Sequence, residues 1–147
     1  MRSSGTFTGI AALLLLMTGC TRPVANVLLL KAQLENNKGD YKAAIADYNK
    51  AVELDPKFVG AYNGRGDAKL NMGNYDGAIA DYTKAIELNP QLAFAYHSRG
   101  NAKNDKGDFD GALADCNKAI ELDPKFAFAY HSRGNAKNNK GDFDGVR

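Results

Sequence analysis

Two histidines and two cysteines are the residues of this 147-residue chain best suited to chemistry. His97 and His131 stand 34 residues apart. Imidazoles can hold a metal or exchange protons near neutral pH. Two ligands do not complete a metal site, and no third histidine or acid recurs with them, so no metal and no cofactor are expected. Cys116 as a nucleophile would need an exposed, electropositive setting, and no histidine stands near it in sequence. Catalysis or metal binding through His97, His131 or Cys116 is therefore the least favoured reading. Arg65, Arg99 and Arg133 recur at the same 34-residue interval. Each is expected to lie along its helix, cover apolar surface with its stem and pair with acids such as Asp81 or Asp115. The chain carries no glycine-rich phosphate loop, no paired-cysteine metal motif and no recurring Ser/His/Asp arrangement. The expectation is a protein that is not an enzyme.

The recurrence that spaces these residues organises the whole chain. Residues 93–126 form one unit, 59–92 carry the same unit, 25–58 a more divergent copy, and 127–147 begin a fourth. Pro56, Pro90 and Pro124 mark the 34-residue period. Within the unit, proline-free sequence predicts a helix from about Phe94 to Lys106. Gly107 should close it in the left-handed conformation. Asp108 should cap a second helix, whose Ala112, Leu113, Cys116, Ala119, Ile120 and Leu122 make one apolar stripe. Pro124 ends the unit. Two short helices with one stripe each bury little alone, so successive copies must stack into an all-α, helix-turn-helix solenoid of three full repeats and a truncated fourth.

These residues resemble the tetratricopeptide repeat family, whose pattern runs W-x2-L-G-x2-Y, A-x3-F, P over a 34-residue period. Tyr96, Arg99, Gly100, Lys103, Ala112, Cys116 and Pro124 take those places in one copy. Tyr62, Arg65, Gly66, Lys69, Ala78, Tyr82 and Pro90 take them in another, and Leu28, Lys31, Ala32, Glu35, Ala44, Tyr48 and Pro56 in the first. The family's leucine is Arg or Lys throughout, and its second tyrosine is Lys or Glu. Cys116 shares its place with Tyr48 and Tyr82, so it is expected as a small buried apolar side chain.

The resemblance implies that the first helices line a concave surface. Its lining would be Gly60, Asn63, Asp67 and Asn71 in one copy. The next copies would add Phe94, His97, Asn101, Asn104 and Asp105, then Phe128, His131, Asn135, Asn138 and Asn139. The result is a ladder of asparagines flanked by aromatic rings, with both histidines solvent-exposed in the groove. Each amide offers a donor and an acceptor, which suits an extended peptide backbone; the plainer alternative is a solvated polar face. Family members that bind chaperones grip a C-terminal carboxylate with a basic clamp. Its places hold Leu29, Gln33, Asn63, Phe94 and Ser98 here, so that ligand is not expected.

Residues 1–19 differ from the rest. Arg2 precedes an apolar run, Ile10 to Met17, too short to span a bilayer. Met17-Thr18-Gly19-Cys20 then resembles a bacterial lipoprotein cleavage box, with lipid expected on the thiol of Cys20. The alternative is an ordinary secretory signal with an incidental cysteine. Residues 20–24 would form the lipidated cysteine and a short tether, and 25–147 the repeat domain close to a membrane. Thr21, not aspartate, follows the cysteine, which favours the periplasmic side of the outer membrane where two membranes exist. The formal net charge is +2, and cleavage would remove one basic residue, Arg2, and no acid. That balance gives no basis for strong nucleic-acid binding.

The expected function is a membrane-anchored, non-enzymatic scaffold at the bacterial cell envelope that binds a peptide or protein partner. The alternative is self-association through the C-terminal end. There residues 127–145 repeat 93–111 except for Asn139 in place of Asp105. The last helix is expected to expose Tyr130 in part, Gly134, Ala136 and Phe143.

Overall fold

A computed structural model of the protein describes residues 21–141. The signal segment, Cys20 and Phe143 lie outside the described residues. Seven helices follow one another: α1 (Thr21–Asn37), α2 (Tyr41–Leu54), α3 (Val59–Asn71), α4 (Tyr75–Leu88), α5 (Ala93–Lys106), α6 (Phe109–Leu122) and α7 (Ala127–Lys140). Among the described residues there is no strand. The odd-numbered helices are the first helices of the units and the even-numbered ones the second.

The punctuation works as its chemistry dictates. Gly107 closes α5 at φ 92°, and Gly39, Gly73 and Gly141 turn in the same left-handed region. The next side chain then caps the second helix: Asp40, Asn74 and Asp108 accept from the backbone N–H groups of Ala43, Gly77 and Gly111 at 3.2, 3.0 and 2.9 Å. Each such cap contributes about 1 kcal/mol. At the far end Asp55, Asn89 and Asp123 are extended, the conformation that a following proline imposes on its neighbour.

Small residues set the packing. Ala44, Ala78 and Ala112 are fully buried, as are Ala51, Ala85 and Ala119 on the second helices and Ala61, Ala95 and Ala129 on the first. Backbones can approach closely across such a layer. Tyr48, Tyr82 and Cys116 are buried among the helices, as their shared place in the repeat predicts. Burial pushes the Cys116 thiol up to about 11, with Asp115 adding to the effect. A thiol in that state is not a nucleophile near neutral pH.

Each second helix also buries one carboxylate: Asp47, Asp81 and Asp115. Two cations bracket every one of them. Arg65 and Lys69 reach Asp81 at 2.6 and 2.7 Å, and Arg99 and Lys103 reach Asp115 at 2.7 and 2.8 Å. Lys31 and Lys50 pair with Asp47. Arg65 and Arg99 each bond their aspartate through Nε as well as Nη2, a two-point grip that fixes the angle between the helices. Arg133 instead donates to Asn117 at 3.1 Å. The guanidinium groups of Arg65, Arg99 and Arg133 lie 5.2–5.6 Å from the rings of Tyr62, Tyr96 and Tyr130. The arginine ladder is therefore structural.

One sequence expectation is corrected here. Thr21–Val24 are helical and part of α1, not a tether. Arg22 fastens that segment to Asp55 at 3.5 Å and lies over Phe58.

The solenoid curves in a definite sense. Successive first helices touch one another, α1 with α3, α3 with α5 and α5 with α7, while the second helices make no comparable contact. The closely spaced row is the inner one. The predicted lining residues all lie on these first helices.

Candidate functional site

The inner face divides into two chemically distinct halves. At the α1–α3 end a cavity of about 440 Å³ is lined by Gln33, Asn36, Asn37, Tyr48, Gly60, Asn63, Gly64, Asp67 and Phe94. Four of the predicted groove residues meet there: Gly60, Asn63, Asp67 and Phe94. Asn71 is exposed further along α3 and does not line it. Glycine makes the floor. Tyr48 lies where a Cβ on Gly64 would fall, 2.4 Å from its hydroxyl oxygen.

Asp67 is the charged group of this cavity. The buried Tyr82 hydroxyl donates to its Oδ1 at 2.6 Å. Burial pushes the Asp67 carboxyl above the usual range, and the Tyr82 bond opposes that shift. Burial and the Asp67 charge in turn push Tyr48 up to about 12 and raise Tyr82 as well. Both phenols are therefore neutral donors.

The α5–α7 end is aromatic and already hydrogen-bonded. His97 lies against Phe126, Phe94 and Phe128, with ring centroids 5.1, 6.3 and 6.4 Å away. Its Nε2 is 3.0 Å from Ser132 Oγ and 3.2 Å from Asn101 Nδ2. Burial lowers its pKa, so the ring is neutral at physiological pH. This corrects the expectation of two exposed histidines. His97 is half-buried because three phenylalanine rings converge on it, whereas His131 is exposed and pairs with Asn135 at 3.2 Å. The asparagine ladder is also less free than expected. Asn101 and Asn135 are engaged with histidines, and Asn139 donates to Asn104 at 3.0 Å. Asn138 and Asp105 are exposed. Among the described residues no group of three or more His, Cys, Asp or Glu is placed to hold a metal ion.

At the end of the row, Phe128 is 69% and Tyr130 42% exposed. Gly134 is exposed too, but Ala136 is fully buried. The expected open patch thus lacks Ala136, because α7 turns that side onto its neighbours.

Sequence reasoning missed Gln33, Asn36, Tyr48, Phe126 and Ser132. One signal was available. The places of Gly60, Asn63, Gly64 and Asp67 hold Phe94, His97, Ser98 and Asn101 in the next copy, so space and charge change together between units.

A helical solenoid whose first helices form one continuous lined face defines a class of repeat proteins, and comparison with known proteins identifies it. Tetratricopeptide repeat profiles match residues 59–92 and 93–126, and a TPR repeat profile matches 32–73. The chain belongs to the tetratricopeptide repeat family. Comparison with curated protein sequences gives no match. The fold is similar to the first TPR of Spaghetti (RPAP3) bound to the HSP90 peptide SRMEEVD, at 25% identity over 82% of this chain and 95% of that one, with a TM-score of 0.79. It is similar to the crystal structure of MamA, at 32% identity over 80% of this chain and 68% of that one, with a TM-score of 0.75. The TPR2B domain of yeast Sti1, in its pHsp70 complex, shares the fold at 22% identity, covering 78% of this chain and 96% of that one, with a TM-score of 0.75.

Proposed function

We propose that the protein is a non-enzymatic interaction scaffold that binds a peptide or protein partner along its inner face while lipid on Cys20 anchors it at the bacterial cell envelope. The cavity between α1 and α3 is the observation that carries the binding half, because it places unfilled space and unpartnered polar groups at one end of the lined face. The RPAP3 domain, similar in fold, was solved with a peptide bound. Anchoring rests on the cysteine box. It is supported by a row of exposed apolar side chains on α1, Val24, Val27, Leu30 and Leu34, that starts four residues after Cys20. Such a row suits an interface rather than open water. Among the described residues no helix is long and apolar enough to cross a membrane, so attachment would come from the lipid. Where two membranes exist, Thr21 favours the periplasmic side of the outer one.

The test has two arms. A photo-crosslinking residue placed at Phe128 or Asn138 in cells should trap a defined partner, whereas one at Glu87 on a second helix should not. Equal labelling from both faces would refute groove binding. Cys20→Ser should move the protein from the membrane to the soluble fraction, and a wild-type protein already soluble would refute the anchor.

A second reading, self-association through α7, is favoured by the exposure of Phe128 and Tyr130. Sedimentation of wild type against Phe128→Glu distinguishes it: dimers lost in the variant support it, and a monomer throughout refutes it.

A further inference from the structure

The three buried aspartates of the second helices and Asp67 are treated in opposite ways. Asp47, Asp81 and Asp115 each sit between two cations. Among the described residues no lysine or arginine pairs with Asp67, and none lines its cavity. A carboxylate taken partly out of water without a counter-charge is costly. Two more acceptors share the condition. Asn36 Oδ1 and Asn63 Oδ1 are buried with no hydrogen-bond donor, and both residues line the same cavity. Tyr48 and the amide nitrogens of Gln33, Asn36, Asn37 and Asn63 bring neutral donors to the cavity, but no lysine or arginine brings a positive charge.

That imbalance is specific to one unit. The places of Gly60, Asn63 and Asp67 are taken by Phe94, His97 and Asn101 in the next copy. There the space is filled by rings, and the amide is already bonded to the histidine. The cavity exists because Gly60 is not phenylalanine, and it is charged because Asp67 is not asparagine.

We infer that this cavity is a subsite for an alkylammonium group, and that its occupant is the side chain of a lysine in the bound partner. The inference rests on the scaffold reading above and names the chemistry of its ligand. An ammonium carries three donors and no acceptor, which suits the Asp67 carboxylate in a lining otherwise made of neutral amides. Its charge replaces the counter-ion that Asp67 lacks. The four-carbon stem lies against Phe94 and the bare backbone of Gly60, apolar surface at the rim. A guanidinium presents a wider planar fork of five donors and fits a carboxylate with one oxygen already taken by the Tyr82 hydroxyl less well.

The experiment titrates the isotope-labelled full chain with N-acetyl-lysine methylamide and follows the side-chain amide signals of Asn36 and Asn63 by NMR. Saturable shifts at both are expected. The norleucine counterpart, which keeps the four-carbon stem but lacks the ammonium, should produce none. Asp67→Asn keeps an acceptor for the Tyr82 hydroxyl, and its fold is checked by circular dichroism. It should weaken lysine binding about tenfold, while Asn63→Asp should strengthen it. Glycine methylamide presents a free α-amine, and shifts as large as those with lysine would identify the source as a chain terminus. Absence of shifts with either amine, equal shifts with norleucine, or unchanged affinity in Asp67→Asn would overturn the subsite. These outcomes are separable from the scaffold reading. Crosslinking at Phe128 and Asn138 reports on a partner whether or not lysine analogues bind, and a positive lysine titration stands even if no partner is trapped.

Discussion

Glycine occupies one repeat position three times, and what faces it differs each time. At Gly66 an added Cβ would fall 2.7 Å from Cε1 of Tyr82. At Gly100 it would meet Cys116 Sγ at 3.2 Å and the Ala112 carbonyl oxygen at 3.3 Å, and at Gly134 nothing within 4 Å. Replacing glycine with alanine inside a helix gains about 0.5–1 kcal/mol through backbone entropy. The Gly134→Ala chain should collect that gain in full. At Gly66 the gain is opposed by overpacking, typically about 1–3 kcal/mol. The ring cannot slide away, since Tyr82 is fully buried and its hydroxyl is held by Asp67 at 2.6 Å. A net loss of about 1–2 kcal/mol follows for Gly66→Ala. At Gly100 the Cys116 sulfur and the Ala112 carbonyl must each give by a few tenths of an ångström, so gain and loss should cancel to within about 0.5 kcal/mol. Urea denaturation followed by circular dichroism reads the order directly. With a slope of about 2 kcal/mol per molar, Gly66→Ala should lower the midpoint by about 0.5–1 M at unchanged slope. The reasoning is refuted if Gly66→Ala matches the parent, or if Gly134→Ala is the least stable of the three.

Further outcomes follow from the buried titratable groups. Cys116, pushed up to about 11 by burial, should react with a thiol reagent at neutral pH only after denaturation; fast labelling of the native protein would contradict its burial. The hydrogen bond from Lys31 holds the Asp47 carboxyl below the usual range. Its stabilisation is therefore present above the unfolded carboxylate pKa and lost as pH falls through the lowered folded value. Asp47→Asn should accordingly melt below wild type at neutral pH, with the gap closing towards acid. Asp67 has the opposite sign, because burial raises it: its contribution is present at low pH and lost as pH rises through the folded value. Asp67→Asn should thus melt above wild type at neutral pH and converge with it in acid. Melting curves across the pH range that show both gaps constant would refute the assignment.

The elements and their order were legible because the forces that set them act within a few residues. Gly107, Asp108 and Pro124 mark a turn, a cap and a stop through backbone rules that need no tertiary context, and the helices end where those residues say. The apolar stripe also placed Ala112 inside, and the shared repeat place marked Cys116 as buried like its tyrosine counterparts. The arginine–aspartate pairs, 16 residues apart, were readable because the repeat carries both partners.

What the tertiary structure decided lies between units, where side chains distant in sequence meet. Ser132 reaches His97 across 35 residues, and Phe126 closes over the same ring from the connection before α7. That turned an expected groove histidine into a packed one. Tyr82 and Asp67 form their bond across the turn of a single unit, yet its consequence, a carboxylate without a cation, depends on which neighbours stay away. The α1–α3 cavity depends in the same way on Gly60 leaving space and on Asn36, from a different helix, leaving its oxygen unpaired. A repeat pattern states which residue types recur. Whether a recurring position becomes wall, void or charge is set by the sizes of side chains that converge from three or four helices, and only their packing in space fixes that.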